Sequence, residues 1–193
     1  MPNGIHGFSQ KAADPRHASY YYSRPQLAVS GTATLAGHEQ KVSGHAWLDH
    51  EWSSELLPPT AQGWDWVGLN LNDGGALMAF RLRNREGLPL WSSGTLMQAN
   101  GRTLRLTGDG LTFEPIRYWQ SKRTGTRYPV EWILRIGQRK LQLNSLLDDQ
   151  ELDSRRTTGA VYWEGAVRLV EDRQEIGRGY LELTGYGDRI HVG

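Results

Sequence analysis

Over most of its length, the chain alternates apolar and polar residues at a period of two. Successive side chains of a β-strand point to opposite faces, so this period predicts strands rather than helices, whose period is 3.6 residues. Ten strands are predicted at roughly regular spacing: Gln26–Leu35, Lys41–His50, Trp64–Leu71, Ala76–Arg83, Leu90–Met97, Arg102–Leu106, Tyr128–Ile136, Lys140–Leu146, Ala160–Val170 and Gly177–Tyr186. This series favours an all-β fold, either a closed antiparallel barrel of about ten strands or a sandwich.

Short turns separate several of these strands. Asn72-Asp-Gly-Gly75 predicts a tight hairpin, because Asn, Asp and Gly tolerate the positive φ that such turns require. Asn100-Gly101 and Ile136-Gly137 predict two further connections of this kind. Two segments depart from the pattern: Leu147–Ser154 is predicted as one short helix, and the polar segment Gly4–His17 as an arm or linker.

The fourth predicted strand shows how the two faces of the sheet are expected to differ. Met78, Phe80 and Leu82 share one face, whereas Arg81 and Arg83 share the other. Apolar side chains favour the interior and charged ones favour water. One face of this strand is therefore predicted to line a core and the other to face solvent.

Composition narrows the classes of function. The 193 residues suffice for one well-cored domain, and 22 basic residues balance 21 acidic ones without a basic block, so nucleic acid is not an expected partner. The chain has no cysteine, which excludes disulfides, thiolate nucleophiles and cysteine-based zinc sites. No apolar run reaches the length of a membrane span, and the polar first 25 residues predict no signal peptide.

The segment from residue 44 to residue 66 contains four of the eight tryptophans, interleaved with ionisable residues. On the predicted strand over residues 41–52, alternation places two sets of side chains on opposite faces. One set is His45, Trp47, Asp49 and Glu51, and the other is Val42, Ala46, Leu48, His50 and Trp52. If this second, mostly apolar set faces the core, His50 and Trp52 extend the inner face at the end of the strand. A β-bulge would exchange the faces, so Asp49 remains a candidate site residue.

Two interpretations of this segment stay open. Ionisable groups are costly to bury beside tryptophan unless they are paired or needed, so the segment indicates an apolar cavity with proton-handling groups in its wall. Alternatively, the tryptophans are core and the acids lie at the rim. Tyr162 with Glu164, and Tyr180 with Glu182, repeat the pattern on two later strands. No metal site is predicted, and no G-x-S-x-G nucleophile motif occurs.

Six motifs, in order, resemble the AttH-like and carotenoid 1,2-hydratase superfamily: Tyr20-Tyr-Tyr-Ser-Arg-Pro-Gln-Leu27, Trp47-Leu-Asp-His-Glu-Trp52, Gly63-Trp-Asp-Trp66, Arg127-Tyr-Pro-Val-Glu-Trp132, Tyr162-Trp-Glu-Gly165 and Gly179-Tyr-Leu-Glu-Leu-Thr-Gly-Tyr186. The resemblance implies a lipocalin-like antiparallel β-barrel over 18–193, preceded by an N-terminal arm or linker over 1–17. Members usually carry two such barrels, and this chain resembles the second. The implied partner is a second barrel in cis or a second copy of the chain, and the implied location is periplasmic or secreted.

For the hydratase members, the resemblance implies acid-catalysed addition of water to a C=C bond of an apolar, isoprenoid-like substrate, without a cofactor. A buried acid protonates the alkene, and aromatic faces stabilise the resulting carbocation. The candidate catalytic residues are Asp49, His50, Glu51 and Asp65, with Asp49 or Asp65 as the acid. The candidate substrate-binding residues are Trp47, Trp52, Trp64, Trp66, Trp132, Tyr162, Trp163, Glu164, Tyr180 and Glu182. A barrel that binds a lipophilic ligand without catalysis is the alternative, and the family also includes members labelled as secreted hydrolases.

Overall fold

The computed structural model describes residues 1–156, 159–187 and 189 of an all-β chain. The strands are β1 (Phe8–Gln10), β2 (Ala18–Leu35), β3 (His38–Glu55), β4 (Gly63–Leu71), β5 (Ala76–Arg83), β6 (Pro89–Met97), β7 (Thr103–Thr107), β8 (Leu111–Gln120), β9 (Arg127–Ile136), β10 (Arg139–Ser145), β11 (Glu151–Ser154), β12 (Ala160–Glu171) and β13 (Gln174–Leu183). A short 3₁₀ turn, Gly108–Gly110, joins β7 to β8. The predicted all-β class is confirmed.

Each of the ten predicted strands lies on an observed strand, and the three predicted turns join consecutive strands. Three strands were not predicted. One is β1, which lies inside the segment predicted as an arm, and another is β8, whose alternation is interrupted by Pro115. The third is β11, so the predicted helix over Leu147–Ser154 is wrong: residues 151–154 pair with β12 in an extended conformation. The last predicted strand ends at Leu183, three residues before Tyr186.

The strands form two antiparallel sheets. The small sheet has the order β1-β2-β3, and the large sheet has the order β7-β6-β5-β4-β13-β12-β10-β9-β8, with β11 added beside β12. In the described part of the chain no ladder joins the edge strands β7 and β8, so the predicted barrel is not closed by hydrogen bonds. Leu106 and Leu111, on either side of the turn between these edges, are both buried in the common core.

The inner face of the large sheet encloses a filled core. Its largest fully buried side chains include Trp132, Trp163 and Tyr128, surrounded by leucines of β4, β9, β10, β12 and β13. Protein interiors are packed to the density of organic crystals, so a core of this kind has no room for a second molecule. The interior of the curved sheet is therefore structural.

A buried ion cluster also lies on this inner face. The carboxylate of Asp65 accepts hydrogen bonds from Arg81 Nε at 2.8 Å, from Arg83 Nε at 3.1 Å and from the hydroxyl of Tyr186 at 2.8 Å. Asp65 is completely inaccessible to solvent, and the two arginines are nearly so. The prediction that Arg81 and Arg83 face water is therefore wrong. Both guanidinium groups are buried because they share the Asp65 carboxylate of the neighbouring strand and also donate to the backbone carbonyls of Phe113 and Thr184.

We expect Asp65→Asn to lower the free energy of unfolding by about 3–5 kcal/mol, because it leaves two buried guanidinium groups without a counter-ion. Urea denaturation at neutral pH measures this change. The matched control is Glu171→Gln, which removes the partner of the exposed Arg139 and should change stability by less than about 1 kcal/mol. Equal effects of the two substitutions would contradict a structural role for the Asp65 cluster.

Candidate functional site

A pocket of about 1350 Å³ lies between the small sheet and the outer face of the large sheet. Its walls come from β2 and β3 on one side and from β4, β5, β12 and β13 on the other. Because alternate residues of a strand point to opposite faces, the strands that line the pocket also line the core. Asp65 and Trp66 illustrate this arrangement: Asp65 points into the core, whereas Trp66 lines the pocket.

On β3, the set that lines the pocket is His45, Trp47, Asp49 and Glu51, joined by Ala46. The orientation in which the mostly apolar set faces inward does not occur, because His50 and Trp52 are exposed on the outer surface of the small sheet. No bulge within residues 45–52 of β3 causes this. One register shift has its extra residue in β2, between Arg24 and Leu27, and the other has it in β3 beyond Trp52. Hydroxyl groups of β2 supply hydrogen bonds to the inward acids, which makes their orientation possible.

Asp49 accepts three hydrogen bonds in the pocket wall. The donors are Tyr21 Oη at 2.9 Å, Ser23 Oγ at 2.5 Å and Trp47 Nε1 at 2.9 Å. Although the side chain remains accessible through the pocket, the surrounding protein displaces water from the carboxylate, and this desolvation raises the pKa of Asp49. The three donors act in the opposite direction and hold the group in a fixed position.

Tyr21 connects the two walls of the pocket. Its hydroxyl donates to Asp49 on the small sheet and accepts a hydrogen bond from Trp66 Nε1 of the large sheet at 3.0 Å. Burial raises the pKa of Tyr21 well above the ordinary value of a phenol, and the negative charge of Asp49 adds to this shift. The hydroxyl therefore stays protonated and remains a donor to Asp49.

Glu51 is held at the pocket wall by Lys11, a residue that sequence reasoning missed. Lys11 Nζ lies 2.7 Å from Glu51 Oε1 and 4.1 Å from the centre of the Phe80 ring, and Ser19 Oγ also donates to Glu51. Burial lowers the pKa of Lys11, while Glu51 opposes this shift. A single lysine in a polar segment gives no sequence signal of such a position.

Two glutamates of the large sheet lie side by side on the opposite wall. Glu182 of β13 is the direct cross-strand neighbour of Glu164 on β12 and of Trp66 on β4. Burial raises the pKa of Glu182 to about 7, with a further contribution from the charge of Glu164, while a hydrogen bond from Trp64 lowers it. Burial also raises the pKa of Glu164. At neutral pH, Glu182 is therefore able both to give and to accept a proton.

The tryptophans of the pocket pack closely around a glycine. The rings of Trp47 and Trp66 meet edge to face with their centres 6.2 Å apart. A Cβ atom at Gly68 would overlap the ring of Trp66 and lie 2.9 Å from that of Trp47. The absence of a side chain at this position thus allows the two indoles from opposite sheets to meet.

The structure brings together eight of the fourteen predicted site residues. Those that line the pocket are Trp47, Asp49, Glu51, Trp64, Trp66, Glu164, Tyr180 and Glu182. Of the others, Asp65, Trp132 and Trp163 lie in the core of the large sheet. Tyr162 is half-buried on β12 and does not line the pocket.

His50 and Trp52 lie on the opposite face of the small sheet from Asp49. There they form an exposed aromatic ladder with two residues of β2: His50 stacks on Tyr22 with ring centres 5.3 Å apart, and Trp52 stacks on Tyr20 at 5.6 Å. Adjacent strand residues point in opposite directions. His50 is therefore not a hydrogen-bond partner of Asp49 in this structure.

Within the residues that the structure describes, no three histidine or acidic side chains are grouped so that they could hold a metal ion. The same residues include no helix long and apolar enough to cross a membrane.

A family profile described as AttH-like matches residues 1–186. The chain belongs to the AttH-like family. This membership confirms the resemblance carried by the six sequence motifs. The match to the family profile also covers the first 17 residues, which contain β1 and Lys11.

Two solved structures resemble this AttH-like chain. A candidate AttH from Nitrosomonas europaea, solved at 2.00 Å resolution, has 51% sequence identity over 97% of the chain and a TM-score of 0.92. Kievitone hydratase from Nectria haematococca has 22% identity over 95% of the chain and a TM-score of 0.73, which shows a shared fold. The AttH-like chain covers only 58% and 57% of these two proteins. No curated protein matches it significantly.

We expect Gly68→Ala to separate the indoles of Trp47 and Trp66 and to lower the free energy of unfolding by about 1–3 kcal/mol, the usual effect of overpacking. Tryptophan fluorescence reports the change in indole environment, and urea denaturation reports the stability. Gly44→Ala on β3 is the control, because an added Cβ there meets no atom within 4 Å. If the fluorescence spectrum of Gly68→Ala matches that of the control, the packing described here is incorrect.

The raised pKa of Glu182 has a consequence for stability. Below the ordinary pKa of 4.5 the group is protonated in both the folded and the unfolded chain. Between 4.5 and about 7 only the unfolded chain releases this proton, so the free energy of unfolding falls as pH rises and levels off above 7.

We therefore expect the free energy of unfolding of Glu182→Gln, relative to that of the natural chain, to rise by up to about 3 kcal/mol from pH 5 to pH 8. The reason is that glutamine cannot ionise. Urea denaturation of both proteins at the two pH values measures this difference. Glu114→Gln, an exposed position on β8, is the control and should show no such pH dependence. A constant difference between Glu182→Gln and the natural chain would refute the raised pKa.

Proposed function

We propose that the pocket binds a lipophilic small molecule and adds water across one of its C=C bonds by acid catalysis. The observation that carries this proposal is the position of Glu182, a carboxyl group with a pKa of about 7 in an aromatic pocket wall. Alkene protonation needs a carboxylic acid that remains protonated near neutral pH, and desolvation provides one here. The volume of about 1350 Å³ suits a large apolar substrate.

In this mechanism, protonated Glu182 gives its proton to one alkene carbon, and a carbocation forms at the other. Trp64 and Trp66 line the same pocket, where their rings would stabilise the positive charge. A water molecule then attacks the cation and loses a proton to a carboxylate. Asp49, on the opposite wall and fixed by three donors, is suited to accept that proton.

Two comparisons support a reaction of this class. The family resemblance includes hydratases that act on acyclic carotenoids, and the solved kievitone hydratase, named for hydration, shares the fold. Our proposal uses a different acid from the two considered first in the sequence. Glu182 replaces Asp65 in the proposal because Asp65 is committed to two buried arginines on the other face of the sheet.

A binding role without catalysis is the second candidate. The wide pocket with indole walls supports it, since such walls hold apolar ligands without any chemistry. Native mass spectrometry of the purified chain, before and after organic extraction, would reveal a retained apolar molecule. A retained ligand that the protein never converts would favour this second candidate.

For the enzyme proposal, we expect Glu182→Gln to lower turnover by about 10²–10⁴-fold, the range that a general acid contributes. Asp49→Asn should also lower turnover, with the hydrogen-bonded frame of the pocket retained. The assay supplies an acyclic carotenoid with a terminal trisubstituted double bond in ¹⁸O-water and detects the hydrated, labelled product by mass spectrometry.

Glu171→Gln, which lies on β12 outside the pocket, is the control for these variants and should retain full turnover. If Glu182→Gln turns over as fast as this control, Glu182 is not the acid. If the natural chain binds the carotenoid but releases no labelled product, the hydration proposal is overturned for this substrate class.

A further inference from the structure

The pocket carries an excess of acidic groups. Its lining includes the acids Asp49, Glu51, Glu164, Glu175 and Glu182 and the bases Lys11 and Arg178, together with His45. Lys11 pairs with Glu51 at 2.7 Å, and Arg178 pairs with Glu175 at 2.6 Å. In the described part of the chain, Asp49, Glu164 and Glu182 have no ion pair with a lysine, arginine or histidine. Once its ion pairs are counted, the pocket keeps unpaired carboxyl groups on both walls, and it is negatively charged above pH 7, where Glu182 is ionised.

The one buried ammonium group in the pocket is not available to a ligand anion. Lys11 is 5% exposed, and its Nζ contacts Glu51, Ser9 Oγ at 3.1 Å and the face of Phe80. An ammonium group has three donors. Two of them meet oxygen atoms and the group lies over an aromatic ring, so a ligand carboxylate would have to displace Glu51 to bind it.

The aromatic side chains of the pocket also favour a cationic ligand. Trp47, Trp64, Trp66 and Tyr180 all contribute to its walls, and ring faces attract cations. Glu182 and Glu164, neighbours of Trp66 in the same row of the sheet, place carboxyl groups beside these rings. Rings combined with acids form the environment in which proteins recognise quaternary ammonium groups.

We propose that this pocket selects amphiphiles by charge: it binds those with a cationic head group best, neutral ones less well and lipid carboxylates worst. This inference rests on the proposed binding of a lipophilic molecule and specifies which molecules are accepted. A carboxylate head would lie beside three acids that lack counter-ions, in a partly desolvated space where like charges repel strongly. A fixed ammonium head would be attracted by the same three groups.

The test compares three ligands of equal chain length: decyltrimethylammonium and decanoate below their micelle concentrations, and decanol below its solubility limit. Isothermal titration calorimetry at pH 8 and low salt measures the three dissociation constants. We expect decanoate to bind at least about tenfold more weakly than decyltrimethylammonium, which corresponds to about 1.4 kcal/mol. Added salt should reduce this ratio, because it screens the pocket charges.

The double variant Glu164→Gln/Glu182→Gln should bring the three dissociation constants closer together, because it removes two of the uncompensated charges and keeps the shape of the pocket. Glu114→Gln, on the exposed face of β8, removes an equal kind of charge elsewhere and should leave the order unchanged. Circular dichroism and urea denaturation of each variant confirm that it is folded.

Two outcomes separate this inference from the proposed function. If decanoate binds as tightly as decyltrimethylammonium, or if the double variant keeps the full ratio, selection by charge is refuted although the pocket still binds apolar chains. If none of the three ligands binds, the proposed lipophilic pocket is itself refuted, and the charge inference fails with it.

Discussion

The hydrogen-bonded bridge through the Tyr21 hydroxyl is the interaction on which the pocket depends. The Tyr21 hydroxyl donates a hydrogen bond to Asp49 of the small sheet and accepts one from the indole N–H of Trp66 in the large sheet. Gln26 of β2 adds hydrogen bonds to Asn70, Leu71 and Gly75, so the small sheet is held against the outer face of the large sheet. The apolar space lies between the two sheets, and burial in its wall raises the pKa of Glu182.

The two faces of the large sheet have separate tasks. The inner face is filled by side chains such as Trp132 and Trp163 and by the ion cluster of Asp65, so it provides stability. The outer face, one residue away along the same strands, provides the pocket wall. Because the pocket lies outside the filled interior, its side chains are free to vary in chemistry without leaving a cavity in the core.

Alternation in the sequence located the strands but not the face that each side chain takes. The pattern of β3 predicts two sets of residues, and the choice between them depends on hydroxyl groups of β2 that satisfy Asp49 and Glu51. Arg81 was likewise predicted to face water. Its partner carboxylate, Asp65, lies on another strand, so the residues around Arg81 give no sign of the ion pair. Long-range pairing decides these positions, and a single sequence does not reveal it. The six family motifs contain the pocket acids Asp49, Glu164 and Glu182 but less than half of all the residues that line the pocket.

The acids of the large sheet are the feature that any function must explain. A site that only holds an apolar molecule would be served by aliphatic side chains at positions 164 and 182, which carry no desolvation cost. Neighbouring glutamates on adjacent strands repel each other when both are ionised, and burial makes this repulsion stronger. The protein nevertheless places them beside Trp66, opposite an aspartate fixed by three donors. Such a costly arrangement is suited to moving a proton or attracting a cation, and both are properties of the same negative, aromatic pocket.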